Sequence, residues 1–248
     1  MNKHFKKIEI TFKVLLFAAI TFFALINHLD RQVIRKWDES RVAINAYEMN
    51  QTGFSIVTTY DYKPDMWNVK PPLLIWCQTA CMKIFGTTEV AVRLPAALGA
   101  LMTCCLLMWF SIKYFKSYWF GLFSVVVLVS SKGFVFEHTA RTGEYDGLML
   151  MFTTFYALCF FLYLELKDDQ VRKRYLNLTF VGLTLAVLTK GIAGLLITPG
   201  ILLYMLLRKQ FLPTLKRKQS YINLALFFGV VFGYYLSFLL SLFLIIRV

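Results

Sequence analysis

The amino-acid sequence predicts an all-α integral membrane protein, with about seven transmembrane helices and two further helices in the first outer loop. Three observations predict it. The 248-residue chain is 58% hydrophobic and 17% charged, with a mean hydropathy of +0.59, whereas soluble domains lie near 45–50% apolar and about 25% charged. Apolar runs of roughly 15–27 residues recur along it, and about 20 such residues cross a bilayer as a helix. Basic residues crowd into alternate connections between the runs, the pattern that holds positive loops inside.

The same balance limits function. The net charge of +13 belongs to loop orientation and anionic lipid, so nucleic acid is not expected as a partner. The five cysteines form no CxxC pair and read as small apolar filler. His4, His28 and His138 are too scattered to suggest a zinc cluster by themselves.

The chain opens MNKHFKKIEITFKVLLFAAITFFALIN, basic and then apolar. No small-x-small cleavage site follows, so 14–27 reads as an uncleaved first span. Further spans are expected at 94–112, 117–131, 147–164, 175–189, 191–207 and 220–246, the short third and fifth extending over their flanks. The run PPLLIWCQTACMKIF at 71–85 is too short to span comfortably and is expected at the surface. Charge decides that point. If 71–85 crossed, the later basic clusters would fall on the wrong side. With 71–85 at the surface, the inside holds Lys3, Lys6, Lys7 and Lys13, then Lys113 and Lys116. It also holds Lys167, Arg172, Lys173 and Arg174, then Arg208, Lys209, Lys216, Arg217 and Lys218, making 15 of the 27 basic residues. The outer side takes Asp38, Glu39, Lys70, Glu144, Asp146 and Lys190.

The outer loop, 28–92, carries the two extra helices. In WDESRVAINAYEMNQTG, Val42, Ala46 and Met49 share one helical face while Arg41, Asn45, Glu48 and Thr52 take the other. This predicts an interfacial amphipathic helix near 39–52, ended by Gly53. The second, near 71–85, starts on Pro71 and Pro72, since proline is welcome in a first helical turn. Both are expected to lie along the outer leaflet.

As bounded, none of the seven spans contains Lys, Arg, Asp or Glu, whereas ion-coupled transporters keep ionisable groups near mid-membrane. The ionisable groups gather where spans meet the outer surface, which points to a reaction at the interface. Asp38 and Glu39 offer a general base, or Asp38 only caps a helix. Lys70 in NVKPPLLIW, near a helix's positive end, suits a phosphate; a snorkelling lysine is the plain alternative. HTARTGEYDG at 138–147 offers Arg141 for phosphate and Glu144 and Asp146 as further acids, or simply loop polarity. In LTKG at 188–191, Gly191 makes a tight turn and Lys190 could add positive charge to the site. Tyr60, Tyr62 and Trp67 are interfacial anchors or stacking faces for sugar or isoprenoid.

The segments WDESRVAINAYEMNQTG, NVKPPLLIWCQTACMKIFGTTEVAVRLPAAL, RTGEYD and LTKG occur in a known order. The chain resembles bacterial members of the protein O-mannosyltransferase superfamily, GT-C glycosyltransferases that include the aminoarabinose transferases acting on lipid A. The resemblance implies a multi-pass enzyme of the bacterial cytoplasmic membrane with an extracytoplasmic active face. Such an enzyme moves a sugar, with inversion, from a polyprenyl-phosphate carrier to a lipid, glycan or protein acceptor. It implies Asp38 as the catalytic aspartate, Lys70 as the donor-phosphate contact, Asp146 as the second outer-loop acid and Arg141 beside it. From the residues themselves, Glu39 joins the catalytic set, and Glu144 and Lys190 join the substrate-binding set. In the implied mechanism Asp38 takes the acceptor's proton as its oxygen attacks the anomeric carbon, and Lys70, with Arg141, stabilises the leaving phosphate.

Two positions depart from the family. Aminoarabinose transferases carry a glutamate before Lys-Pro-Pro, implicated in a metal site, where this chain has Val69. No metal ligand is therefore assigned and no cofactor is named, with a divalent metal left open and zinc in doubt at Val69. Family members are usually longer, whereas this chain stops in its seventh span at FLIIRV. A single module over 1–248 is expected, without the family's C-terminal module. Two other classes stay open: a truncated, inactive or auxiliary polyprenyl-lipid-binding fragment, and a lipid flippase or transporter.

Overall fold

The computed structural model describes residues 3–246, with side chains from 7 to 245. The side chains of Lys3, His4 and Lys6 and the last two residues of FLIIRV lie outside the described set. The apolar runs form helices, beginning with α1 (Lys3–Thr21) and its π-helical extension Phe22–Ile26. After α2 (Asp38–Thr52) comes a two-residue hairpin, β1 (Thr59–Tyr60) and β2 (Lys63–Pro64). Then follow α3 (Leu73–Phe85), α4 (Glu89–Phe110, extended by a π turn to Phe115), α5 (Tyr118–Ser130) and α6 (Lys132–Val135). The chain continues with α7 (Asp146–Glu165), α8 (Asp169–Lys190, then a 3₁₀ turn Gly191–Leu195), α9 (Thr198–Leu207), α10 (Phe211–Leu215) and α11 (Lys218–Ile246).

Five of these are long and apolar enough to cross a membrane: α1, α4, α7, α8 and α11 with their extensions. They fall on the first, second, fourth, fifth and seventh expected spans. The third and sixth correspond to α5, of 13 residues, and α9, of 10. At 1.5 Å per residue these reach about 20 and 15 Å, short of a hydrocarbon core of about 30 Å. A count of seven therefore does not follow from length. The fifth span does extend over its flank, because Asp168 caps α8 by accepting from Val171 N. The third does not: Lys116 is left-handed at one end, and Ser131 is extended at the other.

The two helices between the first and second spans are present, but the apolar face of α2 is not left for the interface as expected. Val42, Ala46 and Met49 share a face of α2, and that face is buried against Leu74, Ile75 and Met82 of α3 and against Tyr145 and Leu148. The opposite face is covered too. The segment after α2 folds back over it, so Asn45 and Glu48 are buried. Asn45 donates to Thr59 O at 2.6 Å, and Glu48 accepts from Tyr62 N at 3.2 Å. Protein, not lipid, therefore receives the amphipathic face. Gly53 ends α2 at φ +99°, as glycine can.

α4 and α7 cross closely, because Gly99 and Gly147 meet there. A Cβ on Gly99 would stand 2.7 Å from Gly147 O. Small residues at such crossings let helices approach backbone to backbone. At one end of the bundle the basic connections converge, with Arg208 on Glu165 and Arg217 on Asp169, each at 2.7 Å. The opposite end holds the start of α2, the start of α7 and the end of α8.

Candidate active site

At that opposite end a cavity of about 280 Å³ is lined by Asp38, Lys70, His138, Glu144, Asp146 and Lys190, with Tyr145 beneath. Five of the seven residues singled out from the sequence thus come together. Glu39 and Arg141 do not line it.

Asp38 is the first residue of α2. Its exposed carboxylate makes no helix-capping bond, and among the described residues it makes no hydrogen bond at all. The local binding falls to its neighbour. Glu39 is fully buried and accepts from Arg93 Nε at 2.7 Å, Arg35 N at 2.7 Å and Gly143 N at 2.9 Å. Burial alone would push its pKa up, but these donors hold it below the ordinary value. One carboxylate thereby ties the 28–37 connection, α4 and the 138–146 loop to α2.

Lys70 sits with its ammonium 5.2 Å above the Tyr145 ring. A buried polar network fixes that ring. Tyr145 Oη accepts from Asn68 Nδ2 at 2.9 Å, and Asn68 Nδ2 also donates to Asn45 Oδ1 at 2.8 Å. Asp65 anchors the network through a two-pronged pair with Arg41, at 2.6 and 2.9 Å. Burial raises the Asp65 pKa, yet Arg41, Asn45 and the N–H groups of Asn68 and Trp67 outweigh it and hold the carboxyl at about 2.

Across the cavity, Lys190 at the end of α8 pairs with Asp146 at the start of α7. Gly191 follows at φ +61°, where an added Cβ would stand 3.4 Å from Tyr235 Oη and 3.9 Å from Pro71 Cδ. His138, at φ +62°, pairs with Glu144. The hydrogen bond to Glu144 raises the His138 pKa, and burial raises that of Glu144. Arg141 turns away, donating to the carbonyls of Ala24, Asn27 and His28 at 3.3, 2.8 and 3.0 Å. It holds the end of α1 against the loop and is not placed to meet a phosphate in the cavity.

Residues 69–237 match the dolichyl-phosphate-mannose-protein mannosyltransferase family. The chain belongs to that family. It is 30% identical over 171 residues to an uncharacterized protein of Aquifex aeolicus (strain VF5), covering 68% of this chain and 32% of that one. Its fold is similar to the crystal structure of ArnT from Cupriavidus metallidurans bound to undecaprenyl phosphate, with a TM-score of 0.74 and 20% identity, over 92% of this chain and 41% of that one. The apo form of the same ArnT gives 0.73 and 18%, over 93% and 41%. The chain thus spans about a third of the curated relative and two-fifths of the solved one.

Within this family the metal question has a structural answer at one position. Val69, where aminoarabinose transferases have a glutamate, offers no ligand atom. A different trio, Asp38, His138 and Glu144, brings one donor atom each within 4.8 Å of one another and could hold a divalent cation. His138 was legible only as an isolated histidine, since its partners lie 6 and 100 positions away in sequence.

Three more residues of the site escaped sequence reasoning. Arg93 stands one place before an apolar run, and a charge at that boundary reads as an ordinary span end. Asp65 and Asn68, in KPDMWN, look like loop polarity until Arg41 and Tyr145 are brought against them.

Proposed function

We propose that the cavity is the donor site of a glycosyltransferase at the extracytoplasmic face of the bacterial cytoplasmic membrane. It takes a sugar from a polyprenyl phosphate and passes it, with inversion, to an envelope acceptor. One observation carries the reading: an unengaged carboxylate, Asp38, and two ammonium groups, Lys70 and Lys190, line the same cavity. The family match supports transfer, and the ArnT relative solved with undecaprenyl phosphate supports a polyprenyl-phosphate donor.

In this reading an acceptor hydroxyl attacks the anomeric carbon while Asp38 takes its proton. The bond from that carbon to the phosphate oxygen breaks, and polyprenyl phosphate leaves with its charge met by Lys70. Lys190, held by Asp146, adds a second positive charge. Glu39 and Arg141 act as positioning residues, not as substrate contacts.

Asp38→Asn keeps shape and removes basicity. Transfer should fall by about 10²–10⁴-fold, the usual size of a general-base effect, with the melting temperature unchanged. The assay follows labelled sugar from a polyprenyl-phosphate donor pool into envelope fractions. Normal transfer by the Asn variant would remove Asp38 from the chemistry.

A further inference from the structure

A second cavity, of about 380 Å³, lies against the first, lined by Trp37, Asp38, Ser40, Arg41, Tyr60 and Trp67. The two share Asp38, Arg41 and Trp67. Resting on the donor-site reading above, we infer that this second cavity is the acceptor subsite and that it takes a neutral saccharide.

Position comes first. A general base in a single displacement must reach the acceptor's hydroxyl and stand beside the donor's anomeric carbon. Asp38 is on the wall common to both cavities, and its carboxylate makes no hydrogen bond among the described residues. The volume lies within the range of about 300–1,000 Å³ usual for small-molecule sites.

Charge comes next. The first cavity carries two lysines; the second carries none. Its one cation, Arg41, is neutralised by the two-pronged pair with Asp65 and stacks 4.2 Å from the centre of the Tyr60 ring. A phosphate-bearing acceptor would find no free positive charge there. A peptide acceptor would find no strand to extend, because β1 and β2 have two residues each.

What the cavity does offer is aromatic surface. Trp37 is 83% exposed and Trp67 75% exposed. Indole faces meet the C–H faces of sugar rings, and the ring hydroxyls are then free to reach a carboxylate. Exposed tryptophans also anchor membrane proteins at the interface, but anchoring does not account for the backbone of Trp37. Its φ of +70° and ψ of −110° are strained for a bulky residue, at a cost of order 1–3 kcal/mol. The surroundings enforce that conformation: Trp37 O accepts from Ser40 Oγ and Arg41 N, each at 2.9 Å. An anchor could sit on any relaxed backbone; a sugar-binding wall beside Asp38 must stand at this one place.

The test uses the full chain in nanodiscs, titrated calorimetrically with neutral tetrasaccharides of glucose, N-acetylglucosamine, mannose and galactose, with inorganic phosphate, and with a Ser/Thr peptide. At least one saccharide should bind saturably. Trp37→Ala and Trp67→Ala should each weaken that binding by about tenfold or more, and the two Trp→Phe variants should keep it within about threefold. Failure of every saccharide to bind would overturn the inference, as would binding indifferent to all four variants or peptide binding that both alanine variants abolish. Undecaprenyl phosphate, titrated in parallel, separates the two readings. Its affinity should fall in Lys70→Ala and stay level in the Trp37 variants, because Trp37 lines only the second cavity. If Lys70→Ala leaves it level, the donor site fails while the saccharide result still stands.

Discussion

Replacing Arg93 by methionine keeps much of the side chain's volume and removes its charge, and the contacts set what that costs. A guanidinium has five N–H groups, and each has an acceptor here. Nε donates to Glu39 Oε1 at 2.7 Å; Nη1 donates to Leu29 O at 2.7 Å and Gln32 O at 2.6 Å; Nη2 donates to Val33 O at 3.0 Å and Glu39 Oε2 at 3.2 Å. Arg93 is 1% exposed and Glu39 is fully buried. Removing one partner of such a pair leaves a buried charge unopposed, at about 3–5 kcal/mol. Three orphaned carbonyls add to that. Against a total stability of about 5–15 kcal/mol, the variant should melt far below the native chain.

The loss also carries a pH signature. Without Arg93, Glu39 loses two of the influences that lower its pKa, so the folded-state value rises from its depressed position. The native pair contributes stability that is present above the unfolded pKa and lost as pH falls through the folded one, and Arg93→Met should flatten that slope. Glu39→Gln in the Arg93→Met background removes the buried charge and keeps an acceptor for one of Arg35 N and Gly143 N, which bond to different oxygens of Glu39. The double variant should recover part of the loss, a coupling that a double-mutant cycle measures. Thermal unfolding in nanodiscs between about pH 3 and 8 reads the native chain, Arg93→Met, Glu39→Gln and the double variant. An Arg93→Met variant within about 1 kcal/mol of native at pH 7, or no recovery in the double variant, would refute the staple.

Three further outcomes are expected. Asp65, held at about 2 against an ordinary 3.8, contributes about 2 kcal/mol that is present above the unfolded pKa and lost as pH falls toward 2; melting from pH 6 to 3 should show the loss, and Asp65→Asn should flatten that slope. A Cβ at Gly147 would stand 2.6 Å from Ala96 O and 2.9 Å from Thr139 O, so Gly147→Ala should cost about 1–3 kcal/mol by forcing α7 off α4, read from the same melts. Lys70→Ala should raise the donor KM more than it lowers kcat. Lys70→Arg should restore only part, because a planar fork replaces a point charge.

The sequence made five of the seven expected spans legible because bilayer thickness imposes a length on apolar runs, and that constraint needs no tertiary information. Lys70, Glu144, Asp146 and Lys190, which line the cavity, were legible because each stands beside an apolar run on the side away from the basic clusters. The packing of α2 was not. Val42, Ala46 and Met49 carry the same spacing whether they face lipid or a second helix, and only the position of α3 decides between them. Glu39 and Arg141 were misplaced for a related reason. A carboxylate or guanidinium beside an active site can serve the substrate or the backbone, and residue type does not distinguish the two. The backbone carbonyls of 24–33, which claim both arginines, have no sequence signature.

Asp38 and Glu39 show why adjacency in the chain can divide labour. Successive helical residues point about 100° apart, so one carboxylate of the pair enters the cavity while the next enters the protein. Glu39 spends its oxygens on Arg93, Arg35 N and Gly143 N. The helix start is therefore fixed against α4 and the 138–146 loop without any bond from Asp38. A base that also served as the cap of its own helix would be partly neutralised by that helix. Asp38 avoids the conflict because its neighbour holds the helix in place. Lys70 is treated in the same way, positioned through Tyr145, Asn68 and Asp65 and not through an acid of its own. Asp38 and Lys70, assigned to the proton and the phosphate, thus make no ion pair among the described residues, while the residues beside them carry the structure.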